Sequence, residues 1–214
     1  MELRSHIEYT NLSPTLTQAD VDRLVEEAAQ HSIFGICVPP FWVKRARREI
    51  GIRNITLVTV AGFPLGYALT ETKVDEINRV IDHGADEVDV VWNLSAFKTG
   101  MPWPKVEVAR CAKAAHQHGK LLKVIIETAW LSNEEIIAAC AIFADAGADF
   151  VKTSTGFAST GARAEHVRLM RSVLPAGVGI KASGGIKTAL QATELIEAGA
   201  DRLGTSSALA ILAV

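Results

Sequence analysis

Short apolar runs alternate along the whole chain with longer stretches in which apolar residues recur every three or four positions. The runs read as strands over residues 6–10, 33–38, 55–60, 87–92, 121–127, 150–152, 178–181 and 202–204. The intervening periodicity reads as helices. Thr17 with Asp20 three residues on opens the first, and Val21, Leu24, Val25 and Ala28 form its apolar face. Further helices are expected over residues 41–50 and 70–83, the latter with Val74, Ile77 and Ile81 on one face and Gly84 as its stop. A loop over residues 99–104 leads into an alanine-rich helix through His118, and Ser132 with Glu135 caps another that reaches Ala146. Residues 164–173, 188–198 and 206–212 complete the set.

Eight strands, each followed by a helical pattern and joined by loops of a few residues, describe βα units around a parallel sheet covered on both faces. No G-x-G-x-x-G follows the first strand, which removes the main support for an open dinucleotide-binding sheet. About 26 residues per unit suit a small (β/α)8 TIM barrel. No linker or shift of composition divides residues 1–214, so one compact domain with a short N-terminal strand and helix is expected. An internal echo supports the barrel. Gly84-Ala85-Asp86, Gly147-Ala148-Asp149 and Gly199-Ala200-Asp201 recur at spacings of 63 and 52 residues, about two βα units each. The third residue after each Asp is Asp89, Lys152 or Gly204, on alternate strands whose side chains share a layer of such a barrel.

Composition narrows the partners. With 49% hydrophobic and 21% charged residues and a formal charge of −2, the chain has the balance of a soluble globular protein. It offers no basic footprint for nucleic acid and no polybasic or spanning segment for a membrane. Three widely spaced cysteines in apolar surroundings and the absence of a leader-like apolar N-terminus suit a cytoplasmic protein with reduced thiols.

Against this apolar pattern, Asp89, Glu127, Lys152 and Lys181 stand at the ends of predicted strands, where an unpaired charge is costly. Two lysines close together repel, and burial adds desolvation, so one amine should lose its proton more easily. Such an amine is the nucleophile of Schiff-base chemistry on a carbonyl, and Asp89 is placed to relay protons. An internal salt-bridge network at the barrel mouth is the inert alternative. Ser183-Gly184-Gly185-Ile186 after the seventh strand and Gly204-Thr205-Ser206-Ser207 after the eighth, opening a helix, combine glycine, hydroxyl and a helix N-terminus where this fold often holds phosphate.

These residues and their order resemble the 2-deoxy-D-ribose-5-phosphate aldolases, which are class I (Schiff-base) aldolases. The resemblance runs essentially end to end. It is carried by Gly62-Phe63-Pro64-Leu65-Gly66, Glu87-Val88-Asp89-Val90-Val91, residues 123–128, Lys152-Thr153-Ser154-Thr155-Gly156, Lys181-Ala182-Ser183-Gly184-Gly185 and Gly204-Thr205-Ser206-Ser207. It implies that Lys152 forms the imine, that Lys181 perturbs its pKa and that Asp89 transfers protons. Glu8, Thr10, Glu127 and Thr153 are expected to support them. Gly156, Gly184, Gly185, Gly204, Ser206 and Ser207 are expected to surround the phosphate. It further implies cleavage to acetaldehyde and D-glyceraldehyde 3-phosphate without metal or other cofactor, by a homo-oligomer (dimer or tetramer). Two departures fall near the start: Glu8-Tyr9-Thr10 where many members read Asp-His-Thr, and Ser13 where they carry Lys before Pro14. A different lysine-imine phosphosugar enzyme of transaldolase type, or a catalytically silent phosphosugar-binding barrel, are the other readings.

Other features are assigned no chemistry. His6, His31, His83, His116, His118 and His166 lack metal-ligand spacing, and the run Lys44-Arg45-x-Arg47-Arg48 reads as a solvated helix face. Trp42, Trp92, Trp103 and Trp130 are expected to pack, and Cys37 to be a buried inert thiol.

Overall fold

Eight parallel strands close on themselves in chain order, so that β1 (Ile7–Thr10) pairs with both β2 (Gly35–Val38) and β8 (Arg202–Thr205). Around the ring between them run β3 (Thr56–Ala61), β4 (Glu87–Val91), β5 (Leu121–Ile125), β6 (Phe150–Lys152) and β7 (Gly179–Ser183). This computed structural model describes residues 2–213 and has the architecture of a (β/α)8 barrel. Its helices are α1 (Gln18–Gln30), α2 (Val43–Ile50), α3 (Thr70–Asp82), α4 (Leu94–Lys98), α5 (Trp103–His116), α6 (Asn133–Asp145), α7 (Ala164–Val173), α8 (Ala189–Glu197) and α9 (Ala208–Leu212). No helix among the described residues is long and apolar enough to cross a membrane.

Local chemistry explains most boundaries. Capping boxes formed by Thr17 with Asp20 and by Ser132 with Glu135 start α1 and α6, and Thr188 with Gln191 does the same for α8. The short α4 stands in what reads as loop, because Asn93 accepts the Ala96 N–H at 3.1 Å and supplies a cap. The basic face of α2 is also less solvated than its charge run suggests. Arg45 makes a two-pronged bond to Asp22 on α1 at 2.9 and 2.6 Å, and Arg47 bonds Asp86.

The pleat sorts the strand residues into two populations. Val88 and Val90 of β4, Leu122 and Val124 of β5, and Ile180 and Ala182 of β7 belong to the main apolar core beneath the helices. The alternate residues, Glu87 and Asp89, Lys123, and Lys181, are buried outside that core, as are Glu8 on β1 and Lys152 on β6. The barrel interior is therefore charged where aliphatic layers are usual. A small apolar cluster of Cys37, Val58 and Val60 borders it on the β2–β3 side.

The Gly-Ala-Asp echo proves to be a fastening at the N-terminal ends of the strands. Asp86, Asp149 and Asp201 each precede an even-numbered strand. Their carboxylates accept the N–H of Leu57, Leu122 and Ile180 on the preceding strand at 2.9, 2.7 and 2.8 Å. The glycines ahead of them adopt φ of +105°, +87° and +111°, the left-handed turn that ends each helix and frees the chain to re-enter the sheet.

Candidate active site

Lys152 is the last residue of β6, and strand pairing sets it beside Ile125 on β5 and Lys181 on β7. Asp89 pairs in register with Lys123 across β4 and β5. Of the four charges expected at strand ends, Lys152 alone ends its strand. Asp89 and Lys181 are each the third residue of five, and Glu127 lies two residues beyond β5 in a left-handed conformation at φ +55°. The strands of a barrel are staggered, so side chains at one height come from different points along each strand.

Three ammonium groups converge on one carboxylate. Asp89 Oδ2 accepts from Lys152 Nζ at 2.8 Å and from Lys181 Nζ at 2.6 Å, while its Oδ1 accepts from Lys123 Nζ at 3.0 Å. Glu8 bonds Lys181 and lies 3.5 Å from Lys123, which also meets Glu87 at 2.5 Å. Lys152 is 2% exposed, and Glu8, Asp89, Lys123 and Lys181 are fully enclosed. Three carboxylates thus balance three ammoniums when all are ionised, which is the condition for burying such a group.

The lysines differ by what surrounds them. Burial pushes the Lys152 pKa down, and the Lys181 ammonium adds to this. Asp89 opposes both without cancelling them, so Lys152 lies below the ordinary lysine value. Burial acts on Lys181 in the same sense, but Asp89 and Glu8 together outweigh it and hold its proton firmly. Lys123 is likewise held charged by Asp89 and Glu8 against burial. Burial alone would raise the Asp89 carboxyl, yet the three neighbouring ammoniums hold it well below the usual range. The expectation that one amine of the pair loses its proton more readily falls on Lys152.

Above these charges a cavity of about 340 Å³ opens at the C-terminal ends of the strands, and of the six interior ionised groups only Lys152 reaches its wall. Gly156, Gly184, Gly185, Gly204 and Ser206 line it, with Thr10 and Lys187. Gly184 and Gly185 take φ of +87° and +76°, and a Cβ on Gly184 would lie 3.0 Å from the Gly161 Cα. Two corrections apply to the predicted phosphate site. Ser207 is not part of the wall, its N–H being committed to Thr205 Oγ1 at 2.9 Å. The helix behind it, α9, is only five residues long, so its dipole adds little and the cradle consists of glycine backbone, hydroxyls and Lys187.

Among the supporting residues, Thr10 Oγ1 donates to the Glu8 carbonyl at 2.9 Å. Thr153 Oγ1 accepts the Ser183 N–H at 3.1 Å and so staples β6 to β7. Glu127 touches none of the lysines and instead bonds Thr155. Lys123 and Lys187 carry no special reading in the sequence. A lysine inside Leu121-Leu122-Lys123-Val124-Ile125 breaks the apolar run as Lys152 does, and Lys187 follows the Gly-Gly loop directly, so both carried a signal. Cys37 is fully buried, and its thiol is pushed up to about 11 by burial, with Asp89 and Glu8 adding and the two lysines opposing. Trp92 packs against Phe97 and Phe143, whereas Trp103 and Trp130 are each 44% exposed. His116 bonds Asp149 at 2.9 Å at the opposite end of the barrel.

Fold and site together have the form of a (β/α)8-barrel aldolase. The model of the DeoC/LacD family aldolases matches residues 6–213, and the chain belongs to that family. It is 45% identical over 215 residues to the deoxyribose-phosphate aldolase of Thermococcus gammatolerans, covering 99% of this chain and 96% of the relative. It is 46% identical over 218 residues to that of Micrococcus luteus, covering 99% and 95%. Among solved structures, the aldolase QR15 superimposes with a TM-score of 0.94 at 40% identity, covering 99% of this chain and 94% of that one. The tetrameric deoxyribose phosphate aldolase of Aeropyrum pernix superimposes with a TM-score of 0.92 at 37% identity, covering 99% and 89%.

Proposed function

We propose that the chain is a class I aldolase that reversibly cleaves 2-deoxy-D-ribose 5-phosphate to acetaldehyde and D-glyceraldehyde 3-phosphate. The observation that carries this reading is the division of labour between two equally buried lysines. Lys181 is held charged by two carboxylates, whereas Lys152 shares one and alone reaches the cavity. The full-length relatives named as deoxyribose-phosphate aldolases supply the substrate.

In this reading the neutral Lys152 amine attacks C1 of the open-chain sugar. The carbinolamine loses water to give an iminium ion. Removal of the C3 hydroxyl proton breaks the C2–C3 bond, releases glyceraldehyde 3-phosphate and leaves the electron pair in an enamine on Lys152. Protonation at C2 and hydrolysis return the water, free acetaldehyde and restore the amine. Asp89, 2.8 Å from the Lys152 nitrogen and 2.6 Å from the Lys181 ammonium, is the group that passes protons between them. A neutral Lys152 leaves three interior carboxylates facing two ammoniums, and the cationic iminium restores the balance, so the enclosure favours the intermediate over the free amine. Gly156, Gly184, Gly185, Gly204 and Ser206, with Lys187 at the rim, hold the phosphate.

The same residues argue against a silent sugar-binding barrel, since holding phosphate needs neither Lys152 nor Asp89. The test is borohydride reduction in the presence of 2-deoxyribose 5-phosphate, followed by peptide mass mapping. A reduced two-carbon or sugar adduct on Lys152 is expected. No adduct, or one on another lysine, refutes the reading. The tetrameric relative also supports self-association of this chain, which light scattering would refute by returning the mass of one chain.

A further inference from the structure

Glu127 is one of two non-glycine residues with positive φ among the described residues, and it follows the strand that faces Lys152. A β-unbranched acid has no intrinsic reason to take this conformation, so its surroundings must hold it there. They do so by running residues 126–128 alongside β6. The Ile126 N–H donates to the Lys152 carbonyl and the Thr128 N–H to the Thr153 carbonyl, both at 2.9 Å. The left-handed step between those two bonds directs the Glu127 side chain to the segment after β6. There its Oε2 accepts the Thr155 N–H at 3.2 Å and the Thr155 hydroxyl, and Thr155 Oγ1 accepts the Phe157 N–H at 3.1 Å. Burial pushes the Glu127 carboxyl up, with the Thr155 bonds opposing, and its Oε1 is buried with no protein partner.

The chain of contacts ends on the cavity. Thr155, Gly156 and Phe157 are consecutive residues of its wall, while Glu127 itself is not. Gly156 in turn abuts the opposite wall, since a Cβ on Gly184 would lie 3.4 Å from the Gly156 Cα. The position of Thr155 therefore sets the gap between the two glycine arms, three residues along from Lys152.

We propose that Glu127 is a positioning residue for the phosphate end of the substrate: by clamping Thr155 it fixes the Thr155–Phe157 wall of the cavity, without taking part in imine chemistry. This rests on the aldolase reading above. Its signature is selective, because a displaced wall harms a ligand that carries phosphate and spares one that does not.

Glu127→Ala is compared with the parent enzyme on 2-deoxyribose 5-phosphate and on unphosphorylated 2-deoxyribose, with inorganic phosphate as competitive inhibitor. Loss of hydrogen bonds to a charged group is expected to raise the KM for the phosphorylated sugar and the Ki of phosphate about tenfold or more. The kcat and the cleavage of 2-deoxyribose should stay within about twofold. Glu127→Gln, which keeps an acceptor for Thr155, should restore the parent values. Glu127→Asp keeps the charge but shortens the reach, and it gives the same test if the alanine variant does not fold. Equal losses on both sugars, or an unchanged phosphate Ki, overturn the proposal. Borohydride trapping on Lys152 is run in parallel. Its persistence in Glu127→Ala is expected, its loss there overturns the proposal, and its absence in the parent enzyme overturns the aldolase reading instead.

Discussion

Replacing Lys181 with Met removes a charge while keeping the length of the side chain, and the structure specifies what Lys152 should then do. The Lys152 and Lys181 nitrogens lie 2.8 and 2.6 Å from the same Asp89 oxygen, which places them no more than about 5 Å apart. At an effective dielectric constant of about 20, two unit charges at that distance repel by about 3 kcal/mol, or roughly two pKa units. Deleting Lys181 removes this repulsion and leaves Asp89 and Glu8 with one cation fewer, and both changes raise the Lys152 pKa. Burial, the first cause of its depression, is unchanged, so the return toward the free-lysine value is incomplete. The pH profile of kcat/KM is the assay. Its ascending limb, set by loss of the Lys152 proton, should move to higher pH by about one to two units, and activity at neutral pH should fall about tenfold for each unit. The rate of borohydride trapping should shift in parallel. A limb that stays in place or moves to lower pH refutes the reasoning, provided circular dichroism shows the variant folded. That control is needed because removing one partner of a buried ion pair typically costs about 3–5 kcal/mol.

Gly161→Ala should abolish phosphate binding by calorimetry, because the new Cβ would fall 2.0 Å from the Gly184 carbonyl oxygen; undiminished binding would place the phosphate elsewhere. Asp149→Ala deprives the Leu122 N–H of its 2.7 Å acceptor, so the melting temperature should drop by a few degrees, reflecting about 1–3 kcal/mol, with activity at room temperature retained. The Asp89 carboxyl lies well below its ordinary 3.8, so its ionised form stabilises the fold fully above that value and the contribution disappears as pH falls toward the folded-state pKa. Urea unfolding from pH 7 down to 3 should therefore show a steeper loss below about pH 4 in the parent than in Asp89→Asn, and parallel curves would contradict the assignment.

The periodicity of the chain was sufficient for the order of the elements and the closure of the barrel, because parallel strands covered by helices must be apolar on one face at least. It was insufficient for the interior. Glu87 and Lys123 sit in the same motifs as Asp89 and Glu127, but alternation within a five-residue strand becomes decisive only when the neighbouring strand is known. The level placement of Asp89 and Lys152 followed from the Gly-Ala-Asp echo, although the inference that both end their strands did not, since stagger separates height from strand position. Ser207 read as a phosphate ligand because hydroxyls after β8 share one composition. Which of them turns back on Thr205 depends on the turn geometry. The role of Glu127 was least accessible, because it depends on a left-handed backbone step at a residue type that rarely makes one.

The three aspartate fastenings divide the ring unequally. They join β3 to β4, β5 to β6 and β7 to β8, whereas the position before β2 holds Phe34, whose ring lies 3.9 Å beneath the Arg202 guanidinium. The pair β1–β2 is thus the one parallel pair of the four without a carboxylate clasp, and β1 is the strand that brings Glu8 to Lys181. Opening the barrel at that seam would separate the second carboxylate from Lys181 while leaving the other three pairs fastened. Asp89 would then be the remaining anion bonded to both lysines, and the difference that marks Lys152 as the free amine would shrink. The seam of the cylinder is in this sense an ignition contact: only a closed ring distinguishes one lysine from the other.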